Sequence, residues 1–129
     1  MRQDRGSCMK IKFDSLPGKG RCVVATCAIE AGDLIECCPV ILFHLEQDLL
    51  NRSGLGIYHF EWDDDCEAIV LGLGSLYNHS FEPNARFIRD YEQQWIKFIA
   101  ARPIAASEEI TINYNYYPGD CTPMAFEVL

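Results

Sequence analysis

Apolar and polar positions alternate in short runs along this chain, and the runs rarely last long enough for a helix. "MKIKF" (9 to 13) alternates and predicts a short strand. "SLPGKGRC" (15 to 22) predicts a loop, because Pro17, Gly18 and Gly20 interrupt any regular element. "CVVATCAI" is a β-branched run, and "EAGD" (30 to 33) follows it as a turn. "LIECCPVILF" (34 to 43) reads as another strand, with Pro39 marking an edge or a kink. "HLEQDLLNRSG" (44 to 54) is the one amphipathic helical stretch, with Gly54 as its stop. "CEAIVLGLG" (66 to 74) predicts a strand ending in glycines. "ARFIRDY" (85 to 91) and "WIKFIA" (95 to 100) predict a hairpin around "EQQ". "RPIAASEEITINYNYYPGD" predicts a turn, a short strand and an aromatic tail. Many short strands with close turn signals predict a mainly β domain, not a doubly wound α/β sheet.

The chain has 129 residues, which suits one domain with a real core. No repeat, low-complexity segment or linker interrupts it. No apolar run reaches 18 residues, so no membrane-spanning helix is expected. The stretch "MRQDRGSCMKIKF" lacks the apolar core and cleavage site of a secretory signal, and the expectation is an intracellular protein. Seven cysteines, an odd number with no CxxC pair, argue against both a disulfide framework and a structural zinc site. Most are expected to be small buried apolar residues. Eleven basic and 19 acidic residues give a net charge of −8. That disfavours nucleic acid or an anionic membrane as a direct partner; it is compatible with a basic one, or with a charge that only keeps the protein soluble. The acidic residues cluster in "EWDDDCE" (61 to 67) and "SEE" (107 to 109).

Three stretches carry candidate chemistry. "GKGRC" lacks the spacing and trailing Lys-Ser/Thr of a phosphate-binding loop. It is either a hairpin turn or a place where backbone approaches a ligand closely. "NHSFEPN" (78 to 84) contains a formal glycosylation sequon, which an intracellular protein does not use. His79 and Ser80 are adjacent and no GxSxG elbow exists, which argues against a Ser/His hydrolase. The three histidines, His44, His59 and His79, are scattered without a helical i, i+4 pair, so no metal site is expected. There remains a polar turn whose side chains satisfy backbone or hold a ligand. Near the end, Tyr114, Tyr116 and Tyr117 crowd together. Tyr58, Phe60 and Trp62 form a second aromatic group. On an extended segment Tyr114 and Tyr116 share a face. They can therefore be core aromatics or the wall of a channel for an alkylammonium group.

Taken in order, these stretches resemble the SET-domain protein lysine methyltransferases. The family's glycine turn and following strand is matched by "GRCVVATCAIEAGDLIE" (20 to 36). Its Asn-His-Ser segment is matched by "NHSFEPN", and its Glu-Glu-Leu-Thr-x-x-Tyr segment by "SEEITINY" (107 to 114). The resemblance covers roughly residues 9 to 118 of a single SET domain, leaving 119 to 129 as a tail. It is nearest to minimal, stand-alone forms of bacterial or viral type.

The resemblance implies a SET-domain (β-clip) fold of small sheets with short helices and a C-terminal pseudo-knot. It implies transfer of a methyl group from S-adenosylmethionine to a lysine of a basic protein, such as a histone-like tail. Gly20, Arg21 and Cys22 would contact the cofactor, mostly through backbone. Asn78 would contact it by its side-chain amide, and His79 would lie around the adenine. Tyr114 matches the catalytic tyrosine, and Tyr58 and Tyr116 would wall the lysine channel. Cys22 stands where the family has its second glycine. In the alternative register, Gly18-Lys19-Gly20, the glycines lie two residues too far from "VVA". Phe81 stands where chromatin-type members carry a zinc-ligating cysteine, and only Cys121 lies in the C-terminal segment that is cysteine-rich in those members. No metal is implied. The channel lid would come from the C-terminal tail or from a second subunit of a homodimer. A non-catalytic SET-like module that holds basic tails is the rival reading, in which Cys22 has spoiled the cofactor turn.

Overall fold

The computed structural model describes residues 10–18, 20–44 and 59–114. Nine strands and no helix occur among them. The first two, β1 (Ile11–Leu16) and β2 (Gly20–Ala25), form an antiparallel hairpin in which Ile11 pairs with Ala25 and Leu16 with Gly20. The expected loop is therefore shorter than its glycines and proline suggested. Strand β1 runs on through Ser15 and Leu16, and β2 begins at Gly20. Gly18 and Gly20 take positive φ angles of 81° and 73°, which side chains with a Cβ rarely adopt.

A second antiparallel sheet contains five strands in the order β4-β5-β3-β8-β7. These are β3 (Leu34–His44), β4 (His59–Glu61), β5 (Cys66–Val70), β7 (Ala85–Asp90) and β8 (Trp95–Ala100). Pro39 lies in the central strand, where a missing N–H would ordinarily break a ladder. It is tolerated because β3 changes partners there. Residues up to Pro39 pair with β8, and Val40 to His44 pair with β5. The Pro39 carbonyl still accepts from the Leu71 N–H at 3.0 Å. Pro39 thus marks a hand-over between neighbours and not a sheet edge. His44, expected to open a helix, is instead the last residue of β3, opposite Cys66. The rest of that predicted helix lies outside the described residues.

The alternating burial of β8 puts Ile96, Phe98 and Ala100 on the core face. Phe98 meets the rings of Tyr77, Phe60 and Phe87 at centroid distances of 4.6, 6.3 and 6.2 Å. The predicted hairpin of β7 and β8 is present, with Gln94 at a positive φ in its turn. The cysteines differ from expectation. Of the five described, all free thiols, only Cys22 and Cys38 are buried. Cys37 faces outward because successive strand residues point to opposite faces.

The smallest sheet decides the architecture. Strand β6 (Asn78–His79) pairs in parallel with β9 (Thr111–Ile112). The residues just before β9 are also fastened to β2. Val24 bridges Glu109, the Ala25 N–H donates to the Glu108 carbonyl, and the Ile110 N–H donates to the Val23 carbonyl. The segment 107–112 is therefore held between β2 and β6. These pairings are what the described residues show of the pseudo-knot.

Asn84, only 1% exposed, locks this arrangement. Its Oδ1 accepts from the Thr111 N–H at 2.9 Å. Its Nδ2 donates to the Glu109 carbonyl at 2.8 Å and to Glu108 Oε2 at 3.1 Å. Glu108 also accepts from the Ala105 N–H, and these two bonds hold its carboxyl below the ordinary glutamate range. Replacing Asn84 with Ala leaves a buried N–H and a buried carbonyl without partners. The expected cost is about 2–6 kcal/mol, from roughly 1–3 kcal/mol for each orphaned group. Urea unfolding of Asn84→Ala against the wild type measures it, and a loss under about 1 kcal/mol contradicts the assigned role.

Candidate active site

The three sequence stretches that carry the chemistry meet where β2, β6 and β9 come together. Gly20 and Arg21 lie exposed at the start of β2. A Cβ placed on Gly20 meets nothing within 4 Å, so the space beside this backbone is open. Cys22 behaves differently from its two neighbours. It is fully buried, and its thiol lies 3.5 Å from the Asp14 carbonyl across the hairpin. Its side chain therefore does not occupy the exposed rim formed by Gly20 and Arg21. This removes the obstruction that a cysteine at a glycine position suggests.

Asn78 ties the first stretch to the third. Its Nδ2 donates both protons, one to the Arg21 carbonyl at 3.0 Å and one to Glu109 Oε2 at 2.7 Å. An amide offers two donors and one acceptor oxygen, so both donors of Asn78 are used within the fold. Ser80 is occupied with backbone. Its N–H donates to the Ile112 carbonyl, and its Oγ accepts from the Glu82 N–H. That geometry makes Ser80 a turn residue and not a nucleophile.

His79 is 4% exposed, with its ring edge-on to Phe81 at 4.4 Å and tilted against Tyr114 at 5.1 Å. Its Nδ1 accepts from the Tyr114 N–H at 2.9 Å. A neutral imidazole that accepts at one nitrogen carries its proton on the other. Nε2 is that donor, and it is buried with no partner among the described residues. Burial also pulls the ring's pKa below its ordinary value.

Tyr114 is fixed at both ends. Its N–H is held by His79, and its hydroxyl donates a short hydrogen bond to the Tyr77 carbonyl. Tyr77 is in turn fully buried, and its hydroxyl donates to Glu36 Oε1 at 2.8 Å. Burial first, and the nearby Glu36 carboxylate second, push the Tyr77 phenol well above its ordinary pKa. It therefore stays a donor. Tyr58 and Tyr116 lie outside the described residues. Among the described residues no group of three or more His, Cys, Asp or Glu is placed to hold a metal ion.

Sequence reasoning missed Tyr77, Glu36 and Glu109 as parts of this site. Glu36 and Glu109 both lie within the quoted stretches, but nothing in the local pattern marks either as part of a site. Tyr77 and Glu36 carried no local signal, because their pairing spans 41 positions of chain.

Comparison with known proteins agrees with this geometry. Residues 20–115 match the SET domain family. The H3 lysine-37-specific histone-lysine N-methyltransferase of Schizosaccharomyces pombe is 34% identical over 101 residues, covering 75% of this chain and 67% of that protein. Histone-lysine N-methyltransferase SET9 of Gibberella zeae is 37% identical over 54 residues, covering 40% of this chain and 8% of that protein. A crystal structure of a candidate histone methyltransferase from Plasmodium falciparum superposes with a TM-score of 0.70 at 26% identity, covering 85% of this chain and 96% of that one. The chain belongs to the SET-domain family, and it is a protein-lysine methyltransferase.

The lowered pKa of His79 makes a stability prediction. An unfolded histidine titrates near about 6.5. Below that pH the unfolded chain takes up a proton that the folded ring resists, so folding stability falls as pH drops through the lower folded value. Protonation would also set Nδ1–H against the Tyr114 N–H. Unfolding midpoints measured from pH 8 to pH 5 should decline on the acid side. The decline should be weaker in His79→Asn. An NMR titration placing the His79 pKa at or above about 6.5 would contradict the assignment.

Proposed function

We propose that this enzyme transfers a methyl group from S-adenosylmethionine to the ε-amine of a lysine in a basic protein, a histone-like tail being the best fit. The observation that carries the reading is the convergence at one place of an open glycine rim, the Asn78 amide and the anchored Tyr114. The residues present fit the cofactor. The backbone of Gly20 and Arg21 leaves room for a ligand beside it. Asn78 Oδ1 is an acceptor suited to an ammonium group. His79 Nε2–H is a buried donor in want of an acceptor, such as a nitrogen or oxygen of the ligand. When bound, S-adenosylmethionine supplies an electrophilic methyl group on a sulfonium.

The chain's own residues then have three tasks. The first is alignment, because an in-line displacement depends mostly on holding both reactants in place. Tyr114 serves this task. Its proton is committed to the Tyr77 carbonyl. Its oxygen is therefore an acceptor, which can take an N–H of the lysine amine and turn the nitrogen lone pair forward. The second task is to keep the amine neutral. A free lysine titrates near about 10.4, and an apolar, partly dry channel disfavours its charged form. The third is to attract the substrate. The net charge of −8 and the exposed Asp63, Asp64 and Asp65 favour a basic partner. A substrate of this kind is compatible with a cytoplasmic or a nuclear enzyme. The buried thiol of Cys22 weighs against the rival reading of a non-catalytic module, since that reading relied on a spoiled cofactor turn.

The test is a mass-spectrometric methylation assay with S-adenosylmethionine and a panel of basic proteins and peptides. Tyr114→Phe should lower kcat about 100-fold or more, the scale seen when one stabilising hydrogen-bond group is removed from an active site. Calorimetry should find cofactor-product binding within about threefold of wild type, since Tyr114 acts on the amine. Full activity in Tyr114→Phe would overturn the catalytic assignment. Absence of both methylation and cofactor binding in the wild type would overturn the reading as a whole.

A further inference from the structure

Glu36 is a carboxylate on the core face of the central strand. It shares that face with the buried Cys38, and it pairs across the sheet with the buried Phe98. An apolar residue would pack there without cost, whereas a carboxylate loses hydration unless donors replace it. Three donors do so. Tyr77 donates its hydroxyl to Oε1 at 2.8 Å, and the Leu73 N–H donates to Oε2 at 2.9 Å. The Cys38 thiol is the third, and burial together with this carboxylate holds it strongly protonated. No cation pairs with Glu36 among the described residues.

The segment joining β5 to β6 is shaped to close over this carboxylate. Gly72 has a φ of 66°, and a Cβ there would come within 2.6 Å of Glu36 Oε2. A Cβ on Gly74 would meet Val70 Cγ1 at 2.3 Å, and both Cys38 Sγ and Phe98 Cε2 at 3.1 Å. Two successive close approaches therefore require glycine. The same segment ends at Tyr77, whose carbonyl receives the Tyr114 hydroxyl. Glu36 holds the ring end of Tyr77, and Tyr114 is held by its backbone end.

We infer that Glu36 is a positioning residue for methyl transfer, acting through the Tyr77 hydroxyl to set the carbonyl that orients the Tyr114 phenol. The inference rests on the reading of Tyr114 as the residue that orients the lysine amine. It assigns a reaction role to a residue 78 positions earlier in the chain, on a strand that contributes none of the three sequence stretches' site side chains. It also gives the carboxylate a reason to occupy a core face. A hydrogen bond fixes a ring more narrowly than packing does, and misplacement of a reacting group by about 1 Å can cost on the order of 100-fold in rate.

Two mild variants test it. Tyr77→Phe removes only the hydroxyl and keeps the carbonyl. Glu36→Gln keeps the shape and changes one acceptor into a donor. Each should lower kcat about tenfold or more while leaving KM for the peptide and binding of the cofactor product within about twofold. The double variant should lose no more than the worse single one, because both cut the same link. Tyrosine labelled with carbon-13 at Cζ supplies a second readout. The Tyr114 resonance should move in both variants, which a purely structural role of Glu36 would not produce. Assays are run well below each variant's melting midpoint, so that loss of folded protein is separated from loss of rate. Wild-type kcat together with an unmoved Tyr114 resonance in Tyr77→Phe would overturn the inference. If Tyr114→Phe remains inactive in that case, only the role of Glu36 falls. If Tyr114→Phe is itself active, the catalytic reading falls instead.

Discussion

The parallel pairing of Asn78–His79 with Thr111–Ile112 is the constraint on which the rest of the site depends. Two residues of parallel strand form a weak sheet by themselves. This pair persists because side chains on both flanks complete its hydrogen bonding. Asn84 takes up the Thr111 N–H and the Glu109 carbonyl, while Asn78 reaches across to Arg21 and to the Glu109 carboxylate. Each amide bonds two chain segments that are far apart in sequence. The pairing therefore brings the glycine turn, the Asn-His-Ser segment and the terminal tyrosine to one point.

Burial at that point sets the chemistry. His79 is neutral because its ring is shielded and because one nitrogen accepts from Tyr114. Tyr77 remains protonated first because its phenol is buried and second because it lies beside the Glu36 carboxylate. Tyr114 has its proton directed at the Tyr77 carbonyl. None of these groups is arranged as a strong base. That suits a reaction in which alignment and the protonation state of the amine matter more than proton abstraction.

The five-stranded sheet serves as the frame for this site. Its central strand changes partners at Pro39, so a residue that cannot donate sits where no donor is needed. On the other side of the same strand segment, Glu36 and Cys38 meet the glycines of the segment leading into β6. The frame and the site thus share a part-buried polar contact at the edge of the apolar cluster. Partly satisfied polar contacts in a core are costly, which explains why three donors converge on a single carboxylate.

The sequence by itself determined the mainly β class, the β7–β8 hairpin and the turn at 30–33, because alternation and turn residues act over a few neighbouring positions. It also determined the family, through three stretches in a fixed order. It did not determine the length of the β1–β2 loop, where cross-strand pairing carried regular structure through Ser15 and Leu16. Nor did it determine the innocence of Pro39, since a change of strand partner leaves no local mark. The buried state of Cys22, the bonds of Asn78 and the link from Glu36 through Tyr77 to Tyr114 belong to tertiary structure alone. The bonds of Asn78, Tyr77 and Tyr114 join residues 31 to 57 positions apart, and only closure of the chain brings donor and acceptor within reach.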